Sequence, residues 1–210
     1  MNVFLHGFLG NQNDWASVVK SMQTPCLCLD LPGHGEAPFD LEWEKKLLNR
    51  PPFHLIGYSM GGRLALQFAQ KYPVLSLTLI STHLGLSSDE QRRERKQKEE
   101  FWTHQLETLS IDEFIHQWYD QPLFQSLRSK ISDIDKMRQK QNKQGLLQAF
   151  KAFSLSSQPL HPLPPNTKLI VGELDTAYRA MYAPHPHIVV PNAGHAIHLE
   201  NPTALAKVLA

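Results

Sequence analysis

The feature that most constrains the fold of this chain is the pentapeptide Gly57-Tyr58-Ser59-Met60-Gly61, which separates two segments of different character. The apolar run at 53–56 is typical of a buried strand, whereas the run at 63–70 is compatible with a helix. Gly-x-Ser-x-Gly at such a junction is the nucleophile-elbow pattern, in which a strand turns sharply into a helix and exposes one serine. Glycine is needed on both sides because the two backbones pass too close for a side chain. The sequence therefore predicts that Ser59 is a nucleophile.

The rest of the chain alternates between strand and helix patterns, with one interruption. Runs typical of strands occupy residues 3–5, 25–31, 53–56, 75–80, 168–171 and 188–190. Runs typical of helices occupy residues 15–22, 41–49, 63–70 and 203–209. This alternation favours a mostly parallel α/β sheet with flanking helices. Between 87 and 157 the apolar residues recur only at helical spacing, so we expect a single domain over 1–210 with a helical cap inserted at about 84–157.

A nucleophilic serine needs a base and an acid that orients the base. In α/β-hydrolase architectures these residues follow in the chain order Ser, Asp, His. Asp175 lies in a turn just after the strand at 168–171, and His195 lies in the loop after the strand at 188–190. The imidazole would take the proton, and the carboxylate would fix its tautomer. Asp175 is therefore the candidate acid and His195 the candidate base, with Glu173 as an alternative acid.

Two backbone N–H groups are candidates for stabilising an oxyanion beside the serine. One belongs to Met60, directly after the nucleophile, and the other to Phe8, in the loop after the first strand. A metal site is a weaker interpretation of the histidines near the end of the chain. No Cys, Asp or Glu completes a recognised ligand spacing with the four histidines there, which are His185, His187, His195 and His198. We therefore predict neither a metal nor a cofactor.

Charge and composition exclude some classes of partner. The 210 residues include 21 Lys and Arg against 20 Asp and Glu, so the formal net charge is +1. This balance gives no electrostatic reason to expect binding to nucleic acid or to a membrane surface. The first residues contain no basic leader, and no apolar run approaches the length of a membrane span. We expect a cytoplasmic protein, and the sequence leaves its oligomeric state open.

Several longer motifs carry a resemblance to a known family. Leu5-His6-Gly7-Phe8-Leu9-Gly10, Asp30-Leu31-Pro32-Gly33-His34-Gly35 and the elbow occur widely in the α/β-hydrolase superfamily. More specific are Arg63, the run Gln91-Arg92-Arg93-Glu94-Arg95 and the run Trp118-Tyr119-Asp120-Gln121-Pro122. Through these the chain resembles the SHCHC synthase family of menaquinone (vitamin K2) biosynthesis, where SHCHC is 2-succinyl-6-hydroxy-2,4-cyclohexadiene-1-carboxylate. The resemblance implies an α/β-hydrolase fold, and the usual first strand or two of that sheet are expected to be missing here.

The resemblance also implies an activity and a set of site residues. The family eliminates pyruvate from 2-succinyl-5-enolpyruvyl-6-hydroxy-3-cyclohexene-1-carboxylate by triad-assisted proton abstraction, without water as a reactant. For this chain it implies a carbon–oxygen lyase with the triad Ser59, Asp175 and His195. The residues implied to contact the carboxylate-rich substrate are Tyr58, Arg63, Arg95, Trp118 and Arg138.

Elementary chemistry supports part of this set independently. Arg63 lies one helical turn beyond Ser59, so both residues are on the same face of the predicted helix. A guanidinium group matches a carboxylate through two parallel hydrogen bonds. A small-molecule carboxylate is therefore the partner we expect.

Two other functions remain open. An esterase or thioesterase of the same fold would use the same Ser, Asp and His. A non-catalytic protein that binds a ligand on this fold would need none of the three, so their joint presence counts against it. The arginines distinguish an esterase from the SHCHC synthase activity, because an enzyme for neutral esters has no use for several guanidinium groups in its site.

Overall fold

The computed structural model describes residues 1–210 and contains the six strands expected from the sequence. They are β1 (Asn2–Leu5), β2 (Cys26–Leu29), β3 (His54–Tyr58), β4 (Ser76–Ile80), β5 (Lys168–Gly172) and β6 (Ile188–Val190). They form one sheet in the order β2-β1-β3-β4-β5-β6, and every neighbouring pair is parallel. The expected α/β fold with a parallel sheet is confirmed.

Eleven α-helices and three short 3-10 helices accompany the sheet, and the α-helices are numbered here. They are α1 (Ala16–Val19), α2 (Lys45–Leu48), α3 (Met60–Lys71), α4 (Asp89–Thr108), α5 (Ile111–Tyr119), α6 (Gln125–Lys130), α7 (Ile134–Arg138), α8 (Lys143–Ala152), α9 (Thr176–Tyr182), α10 (Ile197–Glu200) and α11 (Pro202–Leu209). The helices expected at 15–22 and 41–49 are shorter than their sequence patterns suggested, and α9 and α10 were not expected. None of the helices combines the length and the apolar character that a membrane crossing requires.

Strand side chains alternate between two cores, one on each face of the sheet. Val3 and Leu55 lie in one core, which α3 covers with side chains such as Phe68. Phe4 and Ile56, the next residues along the same strands, lie in the other core. Because both faces of a parallel sheet are covered, its strands appear in the sequence as nearly continuous apolar runs.

The segment between β4 and β5 is helical. We use the name cap for residues 89–157, which contain α4 to α8 and no strand. Leu106 and Phe114 of the cap belong to the same core as Phe4 of the sheet. Aromatic side chains also join the cap to the loop after β1, where the ring of Phe8 lies 4.8 Å from that of Trp118 and 5.0 Å from that of Phe150. The cap therefore lies over the edge at which the parallel strands end, which is where ligands bind in open α/β sheets.

Candidate active site

The junction between β3 and α3 has the backbone geometry of a nucleophile elbow. Ser59 adopts φ 51° and ψ −113°, a conformation that is rare for a residue with a side chain. A Cβ atom on Gly57 would lie 2.5 Å from the Gly61 carbonyl oxygen, and one on Gly61 would lie 2.2 Å from the His6 carbonyl oxygen. Both contacts are with backbone that cannot move aside, so the turn requires glycine at these positions. The turn leaves the Ser59 side chain facing away from the two cores.

Hydrogen bonds link Ser59 to a histidine and an aspartate from two other strand ends. His195 Nε2 lies 3.3 Å from Ser59 Oγ, and His195 Nδ1 lies 2.8 Å from Asp175 Oδ2. The carboxylate makes Nδ1 the protonated nitrogen of the neutral ring, so Nε2 can accept the Ser59 proton. Glu173, the alternative acid, instead accepts the Asn192 N–H at 2.9 Å. The structure therefore brings Asp175, and not Glu173, to the imidazole.

The acid and the base are held rigidly. Asp175 and His195 are 4% and 2% exposed, so neither side chain is free to rotate into solvent. Asp175 is the N-cap of α9, and its Oδ1 accepts the Tyr178 N–H at 3.3 Å, which leaves Oδ2 for the histidine. The His195 ring packs 4.6 Å from the ring of Tyr178 and 5.4 Å from that of Tyr58. These contacts orient the imidazole toward Ser59.

Ser59 opens into a narrow cavity beneath the cap, which we call the Ser59 cavity. Six residues singled out from the sequence line it: Phe8, Ser59, Met60, Arg63, Arg95 and Trp118. A larger groove of about 580 Å³ lies on the outside of the cap, but it contains none of these six residues. The Ser59 cavity is therefore the candidate active site, because it alone joins the serine to polar groups from both the sheet and the cap.

Two amides at this cavity match the expected oxyanion site. Met60 is the first residue of α3, so its N–H has no acceptor within the helix. Phe8 lies in the loop after β1, and its N–H makes no hydrogen bond to the rest of the protein. Amides without partners beside a serine can stabilise negative charge that develops on a substrate oxygen.

The two arginines of the cavity have few anionic partners. Arg63 donates from Nη1 to the Phe153 carbonyl oxygen at 2.7 Å, and no carboxylate of the protein pairs with it. Burial, together with the positive charge of Arg95, lowers the pKa of Arg63 to about 10. Arg95 donates from Nε to Glu99 at 2.8 Å, and the same carboxylate also accepts the Leu155 N–H at 2.8 Å. The cavity consequently carries positive charge that an anionic ligand would neutralise.

Two of the residues that the resemblance implies for substrate binding, Arg138 and Tyr58, lie outside the Ser59 cavity. Arg138 is 2% exposed and donates to both Asp14 oxygens, at 2.6 and 3.0 Å, and to the Tyr119 hydroxyl at 3.0 Å. Its donors are thus occupied within the protein. Tyr58 is 7% exposed, and strand alternation directs its side chain into the same core as Ile56, beneath His195 and His198. Neither residue lines the Ser59 cavity.

The cavity is also lined by four polar side chains that the sequence did not indicate. They are His83, Glu99, Ser154 and Tyr178. His83 lies three residues after β4 and Tyr178 six residues after β5, so both leave the sheet at the same edge as Ser59. The rule that located Asp175 and His195 after their strands would have located these two residues as well. Glu99 offered no comparable signal, because it is one of many charged residues in α4.

Comparison with known proteins agrees with this architecture. A sequence profile of the alpha/beta hydrolase family matches residues 3–208, so the chain belongs to the alpha/beta hydrolase family. Within that class it is similar to the 2-succinyl-6-hydroxy-2,4-cyclohexadiene-1-carboxylate synthase of Salmonella agona, with 34% identity over 99% of this chain and 91% of that protein. The enzyme of the same name from Enterobacter sp. is 33% identical over 99% of this chain and 89% of its own length.

Solved structures give the same result at the level of the fold. MenH from S. aureus superposes with a TM-score of 0.87 and 25% identity, covering 99% of this chain and 91% of that one. A thermophilic esterase from Thermogutta terrifontis superposes with a TM-score of 0.73 and 21% identity, covering 99% of this chain and 87% of that one. The second similarity concerns the fold alone.

Proposed function

We propose that this chain is an SHCHC synthase that eliminates pyruvate from 2-succinyl-5-enolpyruvyl-6-hydroxy-3-cyclohexene-1-carboxylate. The observation that carries the proposal is that the Ser59–His195–Asp175 chain opens into the same cavity as Arg63 and Arg95. A base and two guanidinium groups in one cavity suit a reaction that removes a proton from a carboxylate-rich molecule. The similarity to synthases at 33% and 34% identity over nearly the whole chain supports the same assignment.

The chemistry is a 1,4-elimination. The proton leaves ring carbon 2, where the neighbouring succinyl ketone makes it acidic. Its electron pair forms the 2,3 double bond, the 3,4 double bond moves to the 4,5 position, and the bond from carbon 5 to the enolpyruvyl oxygen breaks. The group that leaves is the enolate of pyruvate, which takes up on oxygen a proton equivalent to the one removed from carbon 2 and then tautomerises to pyruvate, so no water is consumed.

Each proposed site residue has a role in this scheme. His195 Nε2 takes the Ser59 hydroxyl proton as Ser59 Oγ removes the ring proton, and His195 then returns a proton to the departing enolpyruvyl oxygen. Asp175 holds the His195 tautomer and stabilises the imidazolium. The N–H groups of Phe8 and Met60 stabilise the negative charge that develops on the succinyl ketone oxygen. Arg63 and Arg95 bind substrate carboxylates, while Trp118 closes the cavity from the cap side.

An esterase is the second candidate, because the elbow and the unpartnered amides suit an acyl transfer as well. The electrostatics of the cavity argue against a neutral ester. Arg63 is partly buried without a carboxylate partner, an arrangement that is costly unless the ligand itself is an anion. The esterase candidate therefore predicts acylation of Ser59 by simple esters, whereas the synthase requires none.

The decisive experiment is to mix the purified protein with the enolpyruvyl substrate and measure pyruvate by coupled reduction. We expect rapid release of pyruvate by the wild type and almost none by Ser59→Ala. p-Nitrophenyl acetate should be turned over slowly, without an acyl adduct detectable by mass spectrometry. Efficient ester hydrolysis through a Ser59 adduct, with no release of pyruvate, would contradict the synthase assignment and favour the esterase.

A further inference from the structure

His83 lies in the Ser59 cavity but has no role in the scheme above. It comes three residues after the end of β4, and it shares the cavity with Arg63 and Arg95. The ring is partly buried, and its nearest aromatic neighbour is Tyr178, at 6.5 Å and in edge-on geometry. A polar ring in this position is exposed to whatever ligand fills the cavity.

One hydrogen bond determines which ring nitrogen of His83 carries the proton. The Gly85 N–H donates to Nδ1 over 3.1 Å, so Nδ1 must present its lone pair. In a neutral imidazole the hydrogen is then on Nε2. Gly85 has φ 127°, a conformation open to glycine but strained for other residues, which fixes the loop that supplies this donor.

The Nε2 donor has no acceptor within the protein. It makes no hydrogen bond, and it is not among the buried polar atoms that are sealed from solvent. Burial, together with the charges of Arg95 and Arg63, lowers the pKa of His83 to about 4, so the ring is neutral at pH 7. A neutral donor adds a hydrogen bond to the cavity without adding a third positive charge beside two arginines.

We propose that His83 is a substrate-positioning residue whose Nε2–H donates to a carboxylate oxygen that Arg63 and Arg95 also hold. The proposal rests on the proposed function and deepens it, because it names a third donor for one carboxylate of the substrate. The class of acceptor follows from the surroundings. Two guanidinium groups select an anionic oxygen, and an N–H in the same cavity requires an acceptor and rejects a further donor.

Two substitutions separate the roles of the two ring nitrogens. His83→Gln places an amide N–H near the position of Nε2 but removes the acceptor for the Gly85 N–H. His83→Asn places an amide oxygen near the position of Nδ1 but removes the Nε2 donor. We expect His83→Asn to lower kcat/KM for pyruvate release by about 10-fold or more, mainly through KM, and His83→Gln to stay within about threefold of wild type.

Other patterns would overturn the proposal. A defect in His83→Gln with normal kinetics in His83→Asn would mean that the ring only supports the Gly85 loop. Equal losses in both variants, or no loss in either, would equally exclude a specific Nε2 contact. Thermal unfolding of both variants verifies that they are folded under the conditions of the assay.

Equilibrium binding makes the test independent of turnover. Succinate is titrated against the tryptophan fluorescence of the protein, to which Trp118 in the same cavity contributes, and 1,4-butanediol serves as the neutral control. We expect wild type and His83→Gln to bind succinate with similar Kd, His83→Asn to bind it about 10-fold more weakly, and none of them to bind butanediol. This pattern in a wild type that releases no pyruvate would refute the synthase assignment and retain the carboxylate subsite. Pyruvate release with equal succinate binding by all three proteins would refute the role of His83 alone.

Nitrogen-15 NMR of histidine-labelled wild-type protein provides a measurement on the unmodified ring. The His83 signals are assigned by their loss in His83→Gln. We expect a protonated Nε2 and an unprotonated Nδ1 at pH 7, and a shift of the Nε2 signal when succinate is added. A protonated Nδ1, or an Nε2 signal that succinate leaves unchanged, would overturn the proposal even if His83→Asn failed to fold.

Discussion

Arg63 and Arg138 are both withdrawn from solvent, but their surroundings differ in kind. Arg138 forms two hydrogen bonds with the carboxylate of Asp14 and a third with the hydroxyl of Tyr119. Burial alone would lower the pKa of Arg138, but Tyr119 and Asp14 outweigh it and raise the pKa above its usual value. The pKa of Arg63 is lowered to about 10, by burial and by Arg95. One guanidinium is neutralised by the fold, and the other is not.

This difference distinguishes a structural arginine from one that awaits a ligand. A buried charge with a complete set of partners is part of the folded structure. Removing one member of the ion pair leaves the other charge buried without a partner, which destabilises the fold. A partly buried charge without a carboxylate partner opposes folding slightly, and it becomes favourable when an anion arrives. The residues around Ser59 should therefore determine turnover, and those around Arg138 should determine stability.

The largest effect is expected from the triad. Ser59→Ala, His195→Ala and Asp175→Asn should each lower kcat by about 10³-fold or more, because the three groups act as a unit. The free energy of unfolding of Ser59→Ala should stay near that of the wild type, since the fold does not depend on the Ser59–His195 contact, and the other two variants should remain folded although both positions are buried. The measurements are pyruvate release and denaturant unfolding of the same samples. A folded Ser59→Ala variant that keeps wild-type turnover would remove Ser59 from the mechanism.

Arg138→Ala should have the opposite profile. We expect it to lower the free energy of unfolding by about 3–5 kcal/mol, because it leaves the Asp14 carboxylate buried without a cation. Any fraction that remains folded should keep kcat/KM close to that of the wild type. The measurement is urea unfolding, followed by kinetics at a temperature where the variant is folded.

The double variant Asp14→Asn/Arg138→Met is the matched control. It removes both charges together, so it should be less destabilised than Arg138→Ala despite carrying one more substitution. A folded, stable Arg138→Ala variant with a large loss of kcat/KM would instead support the substrate-binding role that the resemblance implies for Arg138.

The comparison also shows which features a sequence can disclose. Arg63 was predictable because it lies four residues from Ser59 on one helix, and local spacing fixes that relation. The partner of Arg138 is 124 residues away, so no local pattern connects Arg138 with Asp14. For Tyr58 the strand pattern and the resemblance lead to different expectations, since alternation places its side chain with Ile56 in the core.

The fold was more predictable than the site. Each strand is an apolar run bounded by turn residues, and the chemistry-bearing residues of a parallel sheet follow the carboxyl ends of its strands. The short helices α9 and α10 were missed because each offers too few residues for a periodic pattern. The partners of Glu99 were equally hidden, since its carboxylate accepts the backbone N–H groups of Leu155 and Ser156 from a distant part of the cap.

A smaller effect is expected when the arginines of the Ser59 cavity are removed. Arg63→Ala and Arg95→Ala should each lower kcat/KM on the carboxylate-rich substrate by about 10- to 100-fold, as expected for losing a charge-assisted hydrogen bond. Arg63→Lys should recover only part of the loss, because an ammonium group lacks the planar fork. Arg93→Ala is the matched control, since Arg93 lies on the same helix as Arg95 with an exposed side chain. Equal, small losses in all three alanine variants would mean that the cavity does not bind carboxylates.

The smallest effect, on acid stability, should arise from the Arg138 side of the molecule. His34 and His198 are fully buried near that arginine, and burial above all lowers the pKa of each to about 3. The unfolded chain takes up protons near pH 6.5, whereas these folded rings do not, so the free energy of unfolding falls as the pH falls below 6.5. Each ring should contribute a loss of about 1 kcal/mol between pH 6.5 and 5.5.

Urea unfolding at several pH values between 7.0 and 5.5 measures this loss, and substitution assigns it. His198→Leu should remove the part of this loss that comes from one ring, about 1 kcal/mol, whereas His104→Gln, at an exposed position of α4, should leave the loss unchanged.

His83→Gln provides the comparison with the Ser59 cavity, where burial and two arginines lower the pKa of His83 to about 4. Without succinate, the His83 ring should contribute a similar loss of unfolding free energy between pH 6.5 and 5.5. With succinate, this contribution should be smaller, because a bound carboxylate offsets the charges of the arginines and raises the pKa of the ring. If succinate instead changed the contribution of His198 to the pH dependence, the anion would bind near Arg138. Arg138 and not Arg63 would then be the arginine that binds a ligand.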